Sequence, residues 1–106
     1  MGGIKIYNPQ SKSYSFVSSD DIVYVTVQNY TLSVHFADQT SCSFSGTLEF
    51  FKKQLPDCFC KLRRNMLVNM NYVKELGLRD CVIRLDNHFE KISNGGKKAA
   101  REYFCI

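Results

Sequence analysis

Apolar and polar residues alternate with a period of two along most of this chain. In residues 31–36 the apolar side chains of Leu32, Val34 and Phe36 fall on one face and polar or hydrogen-bonding side chains on the other. Such alternation is typical of a strand with one buried face. The same analysis predicts strands at residues 4–7, 14–17, 22–27, 31–36, 41–45, 59–62, 66–69, 72–76, 82–85 and 89–92. Turn-forming residues separate them, at 8–11, 20–21 and 86–87 among other places.

One segment has helical spacing instead. Between residues 47 and 55, Leu48, Phe51 and Leu55 stand at i, i+3 and i+7, and Pro56 ends the pattern. This predicts a short amphipathic helix, and residues 97–104 are predicted to add a final helical turn or two. The fold class expected is therefore mostly β, with antiparallel strands in small packed sheets and one short amphipathic helix.

The length and composition limit what such a chain can do. The 106 residues are 44% hydrophobic and 23% charged, which is typical of one soluble globular domain over residues 1–106. A domain of this size has no room for an elaborate substrate cavity, so we expect no enzyme and no small-molecule substrate. No apolar stretch approaches the roughly 18 residues of a membrane span, and no signal peptide is visible. We therefore expect a cytoplasmic protein without a membrane partner.

The cysteine and histidine residues give no recognisable catalytic or metal site. The five cysteines are an odd number without framework spacing, which predicts reduced thiols. Cys58 and Cys60 are separated by one residue, whereas structural zinc sites leave two to four, so no metal and no cofactor are expected. His35 and His88 lie in no nucleophile motif. A thiol-dependent enzyme using Cys58 or Cys60 remains a distant alternative.

The positive charge is concentrated in the second half of the chain. The net charge is +4, and residues 1–53 carry four lysines and four acidic residues. Residues 54–106 carry five lysines and all five arginines against six acidic residues. Arginine suits forked contacts with phosphates and guanine edges, so the distribution indicates a polyanionic partner, although ordinary solvated charges would look the same.

Three segments could contact such a partner. The first segment, Asn29 and Tyr30, is predicted to be a hairpin tip. The second segment comprises Lys61, Arg63, Arg64 and Asn65, which stand between apolar anchors, where a scaffold could present them from a loop. The third segment comprises Asn94, Lys97 and Lys98, and the glycines between Asn94 and Lys97 could admit a phosphate or belong to a helix-capping turn. Residue composition alone leaves nucleic-acid binding and solvated basic turns both open.

The ordered series of motifs resembles the LytTR family of bacterial DNA-binding domains over about residues 20–104. The family pattern F-x-[RK]-[IVL]-[HR]-[RN]-[SN]-x-[LV]-V-N stands here at residues 59–69 as FCKLRRNMLVN. Leu48 precedes it in a short helix, Tyr72-Val73 follows it, and Asp21-Ile22-Val23-Tyr24-Val25 matches the family's first strand.

The resemblance implies a mostly antiparallel β domain that binds double-stranded DNA through loops in the major groove. By position, the three segments match the family's three contact loops. We expect Arg63 and Arg64 to make the main central contacts and Lys61, Lys97 and Lys98 to bind phosphates. Asn69 is expected to stabilise its own strand and turn by side-chain hydrogen bonds.

Two departures from the family pattern concern sequence specificity. Members commonly have His-Arg-Ser where this chain has Arg63-Arg64-Asn65, and Ser-Arg where it has Ser93-Asn94. A short amide suits adenine better than guanine, so the family's target sequence is not carried over.

The family role implied is the output domain of a two-component response regulator, binding paired half-sites as a homodimer. No receiver domain is present in the sequence, and an excised domain and a stand-alone regulator both remain open. A protein-interaction module that dimerises with or sequesters another regulator is the alternative, and exposure of Tyr103, Phe104 and Ile106 would favour it.

Overall fold

The structure, a computed structural model, describes residues 3–8, 10–86 and 88–106. Its strands are β1 Gly3–Asn8, β2 Ser13–Ser18, β3 Ile22–Gln28, β4 Thr31–Phe36, β5 Ser41–Ser45, β6 Phe59–Arg63, β7 Met66–Asn69, β8 Val73–Gly77, β9 Val82–Leu85 and β10 His88–Lys91. Its α-helices are α1 Leu48–Lys52 and α2 Asn94–Phe104. The predicted turns at 8–11 and 86–87 include Pro9 and Asn87, which lie outside the described residues.

The strands form three antiparallel sheets. A central five-stranded sheet has the order β5-β4-β3-β7-β6, a three-stranded sheet has the order β10-β9-β8, and β1 pairs with β2 alone. Every described strand pairing is antiparallel. The predicted fold class, mostly β with antiparallel strands in small packed sheets, is confirmed.

Two hydrophobic cores lie on opposite faces of the central sheet. The first contains side chains from the β1–β2 hairpin and α1, and the second contains side chains from β9 and α2. Neighbouring residues of β3 and β7 alternate between these cores, so that Val25 and Leu67 enter the first while Tyr24 and Val68 contact the second. The period-two pattern in the sequence is the direct result, because successive strand residues point to opposite faces.

Helix α1 spans Leu48–Lys52. It is shorter than the helix predicted from the sequence at residues 47–55. Thr47 caps it, with its side-chain hydroxyl accepting a hydrogen bond of 3.2 Å from the Phe50 amide. Leu48 and Phe51 are buried in the first core, and Leu55 packs against that core from beyond the end of the helix. The apolar spacing therefore indicated the correct buried side chains although the helix ends early.

Helix α2 is longer than the turn or two predicted. Its eleven residues begin at Asn94, and Ser93 caps it by accepting a 2.9 Å hydrogen bond from the Gly96 amide. Gly95 and Gly96, predicted to admit a phosphate or belong to a helix-capping turn, lie in the first turn of this helix although glycine disfavours helices. The close approach of Gly96 to the Leu62 backbone explains the glycine, because a Cβ atom there would lie 1.8 Å from the Leu62 carbonyl oxygen.

Candidate nucleic-acid interface

The first segment forms the two-residue turn between β3 and β4. Gln28 pairs with Thr31, and both residues between them have positive φ, 52° for Asn29 and 62° for Tyr30. Two residues in the left-handed region are the signature of a type I′ hairpin turn. The predicted hairpin tip is confirmed, and it carries the Tyr30 ring into solvent, where that residue is 76% exposed.

The second segment lies beside the first at the same end of the central sheet. Arg64 and Asn65 form the turn between β6 and β7, and both residues are exposed. Because β3 and β7 are antiparallel neighbours, the end of β3 meets the start of β7. A 3.0 Å hydrogen bond from the Val27 amide to the Asn65 carbonyl joins the end of β3 to the β6–β7 turn.

The two turns form a shallow groove against the start of α1. Asn29, Tyr30, Lys61 and Arg64 line this groove together with Thr47 and Glu49. The Lys61 Nζ atom lies 3.6 Å from Glu49 Oε2, and both side chains are well exposed to solvent. Such an exposed pair contributes little to stability, so the lysine can exchange its carboxylate partner for a phosphate at small cost.

Arg63 differs from Arg64 in having several partners within the protein. Its Nε donates to Asn65 Oδ1 at 3.1 Å and its Nη1 donates to the Lys91 carbonyl at 2.7 Å. The same Nη1 lies 3.3 Å from Glu90 Oε1. The guanidinium therefore connects the β6–β7 turn to the end of β10.

The third segment is the exposed start of α2, which corresponds to the helix-capping alternative. The Ser93 amide donates to the Leu62 carbonyl at 3.0 Å, which places Asn94 next to β6. Asn94, Lys97 and Lys98 line a separate shallow depression on α2 together with Arg101. The Lys97 ammonium donates to the Leu78 carbonyl at 3.1 Å, and Lys98 is exposed.

The predicted site residues thus fall into three sets. Asn29, Tyr30, Lys61 and Arg64 share one groove, and Asn94, Lys97 and Lys98 occupy the α2 surface. Arg63 and Asn65 are hydrogen-bonded to each other and line neither depression. The sequence analysis missed Glu90, whose partner Arg63 is distant in the sequence. No local pattern could have revealed a contact that depends on how the three-stranded sheet packs against the central one.

Asn69 has the structural role that the sequence analysis predicted. Its side chain is buried, with Nδ2 donating to the Ile22 carbonyl at 3.0 Å and Oδ1 accepting from the Asn71 amide at 3.0 Å. Both ends of the amide are therefore satisfied inside the protein.

A cavity of about 260 Å³ opens between the central and three-stranded sheets. Tyr24 and His35 form part of its wall, stacked with ring centroids 4.1 Å apart, and His88 lies near them. Burial raises the pKa of Tyr24, with a further contribution from the nearby Glu90 carboxylate. Burial lowers the pKa of His35. None of the predicted DNA-contact residues lines this cavity.

The cysteine thiols are free, and burial disfavours the thiolate form of Cys58 and Cys60. All five cysteines are unpaired, and burial raises the pKa of the Cys58 and Cys60 thiols. A raised pKa lowers the thiolate fraction at neutral pH, and the thiolate is the reactive form. Among residues 3–8, 10–86 and 88–106, no group of three or more His, Cys, Asp and Glu side chains is placed to hold a metal ion. No helix in the described part of the chain is long and apolar enough to cross a membrane.

Comparison with known proteins agrees with the family resemblance. The family model for the LytTr DNA-binding domain matches residues 12–104. No curated protein sequence matches the chain significantly. Among solved structures, the LytTr DNA-binding domain of a Bacillus cereus protein named as a methyl-accepting/DNA response regulator superposes with a TM-score of 0.81. That alignment covers 100% of this chain and 99% of the other at 15% identity, which shows a shared fold. On the family match over most of its length, the chain belongs to the LytTR family of DNA-binding domains.

Proposed function

We propose that this domain binds double-stranded DNA in a sequence-specific manner, with the β3–β4 and β6–β7 turns and the start of α2 entering the major groove. The observation that carries the proposal is the shared groove, in which Asn29, Tyr30, Lys61 and Arg64 meet at one end of the central sheet. Amides and guanidinium groups are the side chains that read base edges, and lysines neutralise phosphates.

Within this interface, Arg64 is the best-placed base-reading side chain. It is exposed in a two-residue turn between β6, which buries Phe59 and Leu62, and β7, whose four residues are all buried. A rigid scaffold that presents a mobile charged side chain is the usual construction of a recognition loop. Lys61 lies at the groove wall and Lys98 on the α2 surface, where each would contact a phosphate.

We further propose a regulatory context for this binding. The structurally similar Bacillus cereus domain belongs to a protein named as a response regulator, which supports a role as the output domain of a bacterial two-component system. In that arrangement, dimerisation of two chains would bring two DNA-binding domains to paired half-sites. The second contact would gain affinity from its raised effective concentration, without any new interaction.

The test is selection of bound duplexes from a random DNA pool at about 150 mM salt, where weak charge-only binding is suppressed. The proposal expects an enriched motif. Arg64→Ala should cost about 1 to 3 kcal/mol and relax one position of that motif, whereas Lys98→Ala should weaken binding to all sequences equally. Lys5→Ala is the matched control, because it removes the same charge from the exposed face of the β1–β2 hairpin. Absence of any enriched motif would refute the proposal.

A second candidate function rests on the exposed C-terminal side chains. Tyr103 and Phe104 contact each other edge to face at the end of α2, and Ile106 beyond them is 64% exposed. These apolar side chains would suit a protein-interaction module that dimerises with or sequesters another regulator. Sedimentation with and without DNA separates the two functions, because the module would self-associate with no DNA present and show no salt-dependent shift on adding DNA.

A further inference from the structure

The contact between Arg63 and Glu90 carries an inference beyond the proposed interface. We propose that Glu90 is a positioning residue for DNA recognition. It holds Arg63 as a brace, a side chain that links the β6–β7 turn to the end of β10, instead of leaving Arg63 to read bases. This inference rests on the proposed function, since it assigns the residue that sets the specificity of that same surface.

Two of the three Arg63 guanidinium nitrogens already donate hydrogen bonds within the protein. A guanidinium reads guanine O6 and N7 by two parallel N–H groups, and such a pair always includes Nε or Nη1. In Arg63 the Nε atom donates to Asn65 and the Nη1 atom donates to the Lys91 carbonyl. Nη1 has two N–H groups: one bonds to the Lys91 carbonyl, and Glu90 Oε1 lies 3.3 Å from the same nitrogen. A forked contact with guanine would therefore require Arg63 to release Asn65 or a partner of Nη1.

The two hydrogen-bond partners of Arg63 lie close to the second and third segments. Asn65 belongs to the turn that presents Arg64, and Lys91 stands two residues before Ser93, the cap of α2. Arg63 thus connects the β6–β7 turn with the end of β10, two residues before the cap of α2. The hydrogen bond from the Ser93 amide to the Leu62 carbonyl joins the same two elements one residue away. Their relative position decides whether both segments can meet base edges at once.

The Glu90 carboxylate lies within ion-pair distance of two side chains, those of Arg63 and His88. Its Oε1 lies 3.3 Å from Arg63 Nη1, and its Oε2 lies 3.3 Å from His88 Nε2. The Arg63 and Glu90 side chains are 31% and 22% exposed, so this pair is less accessible than the Lys61–Glu49 pair. Partly buried charges are screened less by salt, so salt weakens the attraction between Arg63 and Glu90 less than that between Lys61 and Glu49.

Loss of the Glu90 charge should therefore weaken binding to the selected site without weakening binding to other duplexes. Arg63 would be released as a mobile cation, and one carboxylate near the DNA surface would disappear. Both changes favour charge-only binding to any duplex. At the same time the second and third segments would lose their common brace, which weakens binding to the selected site.

The experiment compares Glu90→Gln with the unaltered domain on the selected duplex and on a scrambled duplex at about 150 mM salt. Glutamine keeps the size and shape of the side chain and removes the charge. We expect the ratio of specific to non-specific affinity to fall about tenfold, the discrimination lost with one mismatched base pair, while scrambled-DNA affinity is unchanged or higher. Glu75→Gln is the matched control, because it removes the same charge from the Glu75–Arg84 pair, 3.0 Å apart on the three-stranded sheet. That control should leave the affinity ratio unchanged.

Arg63→Lys provides the second variant, because it keeps the charge and loses the fork. It should lower the affinity ratio as Glu90→Gln does, and the double variant should be no worse than either single one, since both remove the same brace. A thermal unfolding midpoint within a few degrees of the unaltered domain shows that any change reflects positioning and not loss of the fold.

The outcomes separate the two proposals. If the unaltered domain shows no preference for any duplex, the proposed function fails. If it has a preference that Glu90→Gln leaves intact, the domain reads DNA but Glu90 does not position the interface. If Arg63→Lys changes the preference at a single base position while Glu90→Gln changes none, Arg63 reads a base directly and the inference is overturned.

Discussion

The contact between Gly96 of α2 and the backbone of β6 predicts a large loss of stability in Gly96→Ala. An added Cβ atom would lie 1.8 Å from the Leu62 carbonyl oxygen and 2.5 Å from the carbonyl carbon. Both are backbone atoms within an anchored strand, so no side chain can rotate away. Helix α2 would have to retreat by about 1.5 Å to reach an ordinary van der Waals separation.

The expected magnitude follows from three effects. Forcing a methyl group into a packed interface costs about 1 to 3 kcal/mol. Separation of α2 from β6 also weakens the 3.0 Å hydrogen bond from the Ser93 amide to the Leu62 carbonyl, worth about 0.5 to 1.5 kcal/mol. Replacing a helical glycine by alanine recovers up to about 1 kcal/mol. The net destabilisation is about 0.5 to 3.5 kcal/mol, which lowers the midpoint of thermal unfolding by about 2 to 16 °C.

Gly95→Ala is the matched control, one residue away in the same helix. The nearest atom to a Cβ there is Ser93 Oγ at 3.9 Å, an ordinary contact, so only the propensity gain remains. We expect this variant to be as stable as the unaltered domain or more stable by up to about 1 kcal/mol. Thermal unfolding followed by circular dichroism measures both variants. A Gly96→Ala domain that unfolds at or above the temperature of the unaltered one would refute the packing argument.

Three further predictions concern Tyr30, Asn69 and His35. Tyr30→Gly should raise the free energy of unfolding by about 0.5 to 1 kcal/mol, because glycine suits the positive φ of this turn. The same variant should bind DNA more weakly, and one that binds DNA as well as the unaltered domain would exclude Tyr30 from the interface. Asn69→Ala should cost about 1 to 3 kcal/mol in urea unfolding, since it leaves the Ile22 carbonyl and the Asn71 amide without their partner, and an unchanged midpoint would contradict this. Burial lowers the pKa of His35 below its usual 6.5, so the unfolded chain binds more protons near pH 6 and stability should fall as pH decreases from about 7.5 to 5.5. His35→Phe keeps a ring against Tyr24 and should reduce that fall; an identical pH dependence in this variant would show that His35 does not cause it.

The strands could be predicted from the sequence because the two faces of a strand have different surroundings, so residue types alternate along it. In β4, Leu32 and Val34 are buried in the first core while Ser33 pairs across the opposite face with Ser43, so alternation alone reveals the element. The hairpin tip at Asn29 was predictable for a similar local reason, since asparagine tolerates the left-handed region better than most residues.

What could not be predicted depends on contacts between distant segments. Helix α2 contains two glycines near its start, and only the presence of the Leu62 backbone explains why Gly96 stands inside a helix. The different situations of Arg63 and Arg64 are equally invisible in the sequence, where the two arginines are adjacent. They diverge because β10 brings Glu90 and the Lys91 carbonyl to one of them only.

The central position of β7 has a consequence for how this domain can diversify. All four of its residues, Met66–Asn69, are buried, and the strand contributes to the cores on both faces of the sheet. A saturation mutagenesis screen for folded protein should therefore show a run of four intolerant positions. Directly before this run stand Arg64 and Asn65, which are exposed and should accept most replacements. If the β6–β7 turn reads bases as proposed, new target sequences require exchange of only these two residues, while β7 keeps the fold unchanged.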